Sequence, residues 1–474
     1  DFCLSRGLGD VYKRQALESA WIMASVLKLK SNVYAEAAGE AVSANGSGRR
    51  HMKILHVNAF HGTGGAARAA MRLHQGLLNF GIDSHYVTIT PGSNQGELNT
   101  PLNSWQLAAA SAKRRAAAGI LKLQVTPTNT VLHSLGRFSS GLGPWISATD
   151  FDVVNLHWIC AEALSVQEIA EIQKPLVWTM HDMWPLMGAE HYDDLTFPER
   201  WKSPYTASNR PPNYQGLDVD RYVWARKAKL WGGKTFELVA PSRWLATCAR
   251  DSALMGHQPC QVIHNPIDTS IFRPLAKDLA RRALGLKPSS HMILFGAMDA
   301  TSDERKGFDL LMEALQIIQG KGAGALEAEV VVFGSNKPLP LPSGMRGHFL
   351  GAFESDEALR TVYSAADVFV APSRQDNLPN TVVEAAACGV PTVAFDIGGM
   401  SDIIIKGATG VLIQPFDTGA LANGILQLLS APLNRDYIRQ SAVDRFSLDA
   451  TIPTYLAMYR SVILRRAQEE RRRR

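Results

Sequence analysis

The segment that most limits what this chain can fold into is residues 363–404, YSAADVFVAPSRQDNLPNTVVEAAACGVPTVAFDIGGMSDII. Val368 to Ala371 is short, apolar and β-branched enough to be a buried parallel strand. Pro372-Ser373 stops it, and residues 373–378 are polar and loop-like. Pro379 suits the first turn of a helix, and Thr381 to Ala387 reads as that helix. Cys388-Gly389-Val390-Pro391 ends it, Thr392 to Phe395 is the next strand, and Gly398-Gly399 precedes a helix near Ser401. Two successive βα units put their loops at the carboxyl edge of a sheet, where open α/β folds bind ligands. Asp376 lies in the first loop, and Glu384, eight residues on, lies just over one turn into the helix. Between them the backbone N–H groups of Leu378, Asn380 and Thr381 stand at the helix start, a seat for an anionic or hydroxyl-rich ligand. Glu384 can face the same pocket and accept bonds from a diol such as a ribose.

At 474 residues the chain is too long for one ordinary domain, and two are expected. Its 46% apolar and 20% charged content is that of a soluble globular protein. It has no uninterrupted apolar span of about 18 residues, so no transmembrane helix is expected. The formal charge is +5, but residues 465–474 alone hold six Arg and two Glu. The rest is nearly neutral, and no zinc-finger, helix-turn-helix or aromatic RNA-binding signature appears, which sets nucleic acid aside. Five scattered cysteines, Cys3, Cys160, Cys248, Cys260 and Cys388, include no C-x-x-C pair. That fits a reducing, cytoplasmic compartment with thiols as small core residues, and no metal site is expected.

Residues 1–51 look foreign to the remainder of the chain: residues 1–15 resemble translated read-through, residues 45–48 a linker, and a natural start at Met52 is expected. From there Lys53 to Asn58 is a strand, residues 61–65 a glycine turn, Ala66 to Phe80 a helix, and His85 to Ile89 a second strand. Gly62-Thr63-Gly64-Gly65-Ala66-Ala67 satisfies a dinucleotide fingerprint. The acidic residue that should end the second strand is missing, with Asp83 before it, which counts against NAD. Residues 111–123 form a short amphipathic helix carrying Lys113, Arg114, Arg115 and Lys122. A solvated helix face is one reading; peripheral contact with anionic lipid at the inner membrane surface, or with a lipid-linked acceptor, is the other. Two further strands deliver His157-Trp158 and His181-Asp182 at their carboxyl ends, where side chains point into a cleft. His157 divides between core packing and acceptor-site lining. Residues 189–232 form a long insertion that says little.

PSRQDNLPNTVVEAAACGVPTVAFDIGGMSDII resembles the nucleotide-sugar site of the family 4 retaining glycosyltransferases of GT-B fold. There a Glu, seven residues and a second Glu follow PS, with EA-x-A-x-G-x-P and GG-x-x-[DE]-I behind them. Asp376 stands where the first Glu is usual. MKILHVN, GGAARAA and Arg305-Lys306-Gly307 are similar to other family motifs. The resemblance, over residues 52–460, implies α/β architecture: two Rossmann-like doubly wound domains facing a cleft. Residues 52–274 would be the acceptor domain, 275–446 the nucleotide-sugar domain, and 447–474 a helix crossing back plus an Arg-rich tail. It implies retaining transfer of a sugar from a nucleotide diphosphate sugar to a glycan or lipid-linked acceptor, in polysaccharide or glycolipid synthesis, without cofactor or metal. Glu384 would hold the ribose, and Lys306 with Arg305 the departing diphosphate. Asp376 and the amides of Asn377, Leu378, Pro379, Asn380 and Thr381 would hold the sugar, although Pro379 has no N–H to give. His181 would sit on the opposite wall, and Gly64 and Gly65 would let phosphate and acceptor approach. Ala297 stands where the family commonly has an Arg. A nucleotide-sugar epimerase, or a catalytically silent GT-B partner subunit, are the rival readings.

Overall fold

The computed structural model describes residues 52–62, 64–90, 100–130, 132–296, 303–321, 328–335 and 340–473. The readings of residues 1–51, Thr63 and Ala297 lie outside these.

Short strands, the central ones β-branched and buried on both faces and the edge ones partly exposed, build two six-stranded sheets. The first contains β1 (Lys53–Val57), β2 (Asp83–Val87), β3 (Val153–Leu156), β4 (Leu176–Thr179), β5 (Glu237–Ala240) and β6 (Cys260–Val262), in the order β2-β1-β3-β4-β5-β6. The second contains β7 (His291–Gly296), β8 (Ala328–Phe333), β9 (Arg346–Phe349), β10 (Val368–Ala371), β11 (Thr392–Phe395) and β12 (Gly410–Ile413), in the order β9-β8-β7-β10-β11-β12. Every pairing within both sheets is parallel. Parallel pairing forces crossover connections, and the helices on both faces supply them. In each sheet the strand order reverses beside the first strand, which opens a crevice at the carboxyl edge. These are two Rossmann-like domains, as the family resemblance implied.

Helix α1 (Gly65–Asn79) follows β1 directly. Asp83 opens β2 instead of preceding it, so the absence of an acidic residue at the strand's carboxyl end stands. Pro379 takes the capping position before the helix, not its first turn. Helix α2 (Ser104–Leu121) begins upstream of the expected residue 111, because the Asn103 side chain and Gln106 cap each other's backbone. Ala117, Ile120 and Leu121 pack against Leu135, Val219 and Val223, while most of the helix is exposed.

The insertion at residues 189–232 is packed, with Trp201, Tyr205, Tyr214 and Trp231 buried in it. It docks through Lys227, whose ammonium donates to the carbonyls of Met187 and Gly188 at 3.0 and 2.7 Å. That ammonium also lies 3.6 Å from the Trp184 ring centroid. Burial pushes this lysine down to about 7.

The last helix, α5 (Leu448–Arg473), returns to the first domain as expected. Ile452, Tyr455, Leu456 and Tyr459 pack on Ile54, Leu73, Val153 and Val177, and the Tyr459 hydroxyl accepts from Asn155 at 2.7 Å. This clasp holds the two sheets in one frame. Between α1 and α5 lie α3 (Phe308–Gly320) and α4 (Asn380–Ala387), which carry the site of the second domain.

Candidate active site

A cavity of about 770 Å³ opens between the carboxyl edges of the two sheets. Of the residues expected to form the site, Gly64, Gly65, His181, Arg305, Lys306, Asp376, Asn377, Leu378, Pro379, Asn380 and Thr381 all line it. They come from loops that follow β1, β4, β7 and β10, so sheet topology alone brings them together.

The second-domain wall is made by two loops pressed against each other. Gly307, at φ +70°, ends the turn carrying Arg305 and Lys306; a Cβ there would lie 1.9 Å from the Pro372 carbonyl oxygen. Behind the Asp376 loop, a Cβ on Gly399 would lie 1.8 Å from the Asn377 carbonyl oxygen. The K-G and G-G pairs are therefore packing requirements of this site: only a hydrogen side chain permits the contact.

Lys306 Nζ lies 2.6 Å from Asp376 Oδ2, and Arg305 lies farther from the same oxygen at 3.9 Å. Burial works against the charge on Asp376, but Lys306, Arg305 and the Asn377 N–H outweigh it and hold the carboxyl below its ordinary value. Arg305 donates to Asp303 and to the Gln375 carbonyl. Arg305 and Lys306 are therefore held between the carboxylates of Asp303 and Asp376 at the start of α4, where helix N–H groups add positive potential.

The opposite wall is aromatic. Trp158 stacks on Phe60 with centroids 5.5 Å apart, and its indole N–H donates to Asp182 at 2.9 Å. Asp182 also pairs with the buried His191 at 2.6 Å, and His191 belongs to the insertion. Tyr192, next in the insertion, lines the cavity and lies under the Arg305 guanidinium at 4.2 Å. Of the His157-Trp158 dipeptide it is Trp158 that reaches the cavity; His157 is 2% exposed and packs behind His181. Burial pushes His181 down to about 4, so its imidazole is neutral near pH 7.

Glu384 is placed differently from the expectation. It does not line the cavity; it is 2% exposed and forms an ion pair with Arg72 of α1 at 2.8 Å. The Tyr363 hydroxyl donates to its other oxygen at 2.7 Å. Arg72 also holds Asp356 at 3.0 Å, and beside it Asn380 donates to the Gly65 carbonyl at 2.9 Å. Asn377 likewise crosses the cleft, donating to the Met180 carbonyl at 3.2 Å and accepting from Ser242 at 2.7 Å. The two domains thus grip each other around the cavity. Arg72 and Tyr192 had no signal in the sequence: one is an ordinary helix arginine, the other a tyrosine in an unpatterned insertion. Among the described residues no cluster of His, Cys, Asp or Glu has the arrangement of a metal site, and no helix is long and apolar enough to cross a membrane.

Two Rossmann-like domains with a polar site in the cleft between them define the GT-B class of glycosyltransferases. Residues 63–271 match the model described as Glycosyltransferase Family 4, and residues 290–431 match Glycosyl transferases group 1. The two matches, one to each domain, together support a GT-B glycosyltransferase of family 4/1. It is 26% identical over 351 residues to D-inositol 3-phosphate glycosyltransferase 1 of Catenulispora acidiphila, covering 69% of this chain and 76% of that one. To the D-inositol 3-phosphate glycosyltransferase of Mycobacterium bovis it is 30% identical over 242 residues, 47% of this chain and 48% of that one. Among solved structures, sucrose-phosphate synthase from Thermosynechococcus elongatus superposes with a TM-score of 0.60 at 18% identity, covering 87% of this chain and 99% of the other. Anabaena HepE in complex with UDP-glucose superposes at 0.56 and 16% identity, covering 87% and 100%. At these identities the structural likeness speaks for the fold.

Proposed function

We propose that the chain moves a sugar from a nucleotide diphosphate sugar to an acceptor hydroxyl with retention of anomeric configuration, in polysaccharide or glycolipid assembly. The observation that carries this reading is the Arg305–Lys306–Asp376 cluster facing His181 across a cavity large enough for a nucleotide sugar. Asp376 occupies the ammonium of Lys306. A bound diphosphate is a stronger partner for that ammonium. Its arrival turns Lys306 toward the phosphates and leaves Asp376 free to accept from a sugar hydroxyl. As the bond from the anomeric carbon to the phosphate oxygen breaks, the fixed cations and the start of α4 stabilise the charge that develops on the diphosphate. Phe60 and Trp158 offer an apolar wall suited to the face of an acceptor ring. Asp in place of the usual Glu shortens the arm by one methylene, so a hydroxyl it holds is drawn nearer its own loop.

For the ribose to reach Glu384, Arg72 has to release it, so donor binding includes a local opening between α1 and α4. The test is a thermal-shift panel of nucleotide sugars, since a ligand at about 100 times its Kd adds about 2.7 kcal/mol. Product NMR then reads the anomer. A panel with no stabilising nucleotide sugar, or an inverted product, overturns the proposal. Donor incubated without acceptor and recovered as its epimer would favour the epimerase reading.

A further inference from the structure

His181 is the outer member of a file of three histidines. Its Nε2 lies 3.0 Å from Nδ1 of His157, and Nε2 of His157 lies 2.9 Å from Nδ1 of His56. The file runs inward from the cavity wall: His157 is 2% exposed and His56 fully buried. Sheet register builds it, because the three residues sit on or just beyond the neighbouring strands β1, β3 and β4. Burial, reinforced by repulsion among the imidazoles, pushes His56 and His157 well below the ordinary imidazole value; burial alone does so for His181. Asp182, the nearest carboxylate to His181 in sequence, is engaged by His191, Trp158 and the Trp184 N–H.

A neutral imidazole has one N–H and one bare nitrogen. His157 must therefore donate through one nitrogen and accept through the other, so both contacts run in the same sense. If they run inward, His181 Nε2–H donates to His157, His157 Nε2–H donates to His56, and His56 is left with an N–H at Nε2. If they run outward, His56 Nε2 is bare. Among the described residues that atom is buried and has no hydrogen-bond partner. A buried N–H without an acceptor is rarer than an under-satisfied acceptor, which selects the outward sense. His181 then carries its proton on Nδ1, the nitrogen turned away from the file.

We propose that His56 and His157 are positioning residues that hold His181 as the Nδ1–H tautomer, so that it meets the donor sugar as a hydrogen-bond donor to oxygen and not as a base. Its only bare nitrogen, Nε2, is occupied by His157 and cannot take a proton from the acceptor. This rests on the transferase reading for the identity of the ligand, but the tautomer itself can be read without ligand.

The experiment uses the full chain labelled with ¹⁵N-histidine and long-range ¹H–¹⁵N correlation spectra, with His181 assigned from His181→Gln. The wild type is expected to show His181 protonated on Nδ1. His157→Phe removes the partner, and His181 is expected to become a tautomer mixture while kcat falls about tenfold or more with the donor KM nearly unchanged. His157→Asn places an amide nitrogen where Nδ1 was and is expected to restore both the tautomer and kcat. Nε2–H on wild-type His181, an unchanged tautomer in His157→Phe, or an Asn variant no better than Phe would each overturn the proposal. Absence of transferase activity with the Nδ1–H tautomer present would count against the functional reading alone.

Discussion

The ion pair between Arg72 and Glu384 joins the two domains, and its strength can be predicted. The charged atoms lie 2.8 Å apart, with side chains 10% and 3% exposed. At an effective dielectric of about 20 that separation corresponds to roughly 6 kcal/mol of attraction before desolvation is counted. Burial opposes the charge on Arg72, yet Glu384 and Asp356 hold its guanidinium above the ordinary arginine value. Removing one partner of a buried pair costs about 3–5 kcal/mol, mostly because the other charge stays buried. The partners are not equivalent. Without Glu384, Arg72 keeps Asp356 at 3.0 Å; without Arg72, Glu384 keeps only the Tyr363 hydroxyl. Arg72→Met is therefore expected to cost about 3–5 kcal/mol and Glu384→Gln less, with a coupling of about 2–3 kcal/mol between them. The assay is urea unfolding of the wild type, both single variants and the double variant without ligand. Tryptophan fluorescence and far-UV circular dichroism are followed together, so that their coincidence checks for a single transition. Additivity to within about 0.5 kcal/mol would refute the reasoning. The domains would then stand apart in the free protein, with Glu384 already open to a ribose.

The same site sets further expected outcomes. Lys306→Ala should lower kcat/KM about 100- to 1000-fold, since one fixed cation at the leaving group is lost; near-wild-type turnover would remove Lys306 from the mechanism. Gly399→Ala forces a methyl against a carbonyl oxygen 1.8 Å away, so calorimetry should find donor binding abolished while far-UV circular dichroism stays native. Asp376 has a folded value below its ordinary one. Its contribution to stability is therefore complete above the unfolded carboxylate value of about 3.9 and is lost as pH falls through the folded value. Accordingly, the stability gap between wild type and Asp376→Asn should narrow below about pH 4 in unfolding titrations. Finally, the proposed mechanism, in which fixed cations and a helix start stabilise the leaving diphosphate, expects turnover to persist in EDTA; complete loss restored by Mn²⁺ would contradict it.

Much of the architecture was legible in the linear sequence because its determinants are local. The run Val368–Ala371, the loop to Pro379 and the helix to Ala387 are set by β-branching, prolines and glycines acting on near neighbours, and they formed within a residue or two of expectation. The G-G and K-G pairs were visible as motifs, and the structure supplies their reason in two carbonyl oxygens that leave no room for a Cβ. Tertiary structure alone decided the rest. Arg72 meets Asp356 across 284 positions and Asn377 meets the Met180 carbonyl across 197. No periodicity or spacing encodes such pairs, because they depend on how two sheets are set face to face. The same holds for Tyr192 beneath Arg305, and for the file His56–His157–His181, where His181 stood out singly but its link through His157 to His56 did not. Local chemistry wrote the elements; the close approach of two separately folded sheets determined which charges met and which atoms were left for a ligand.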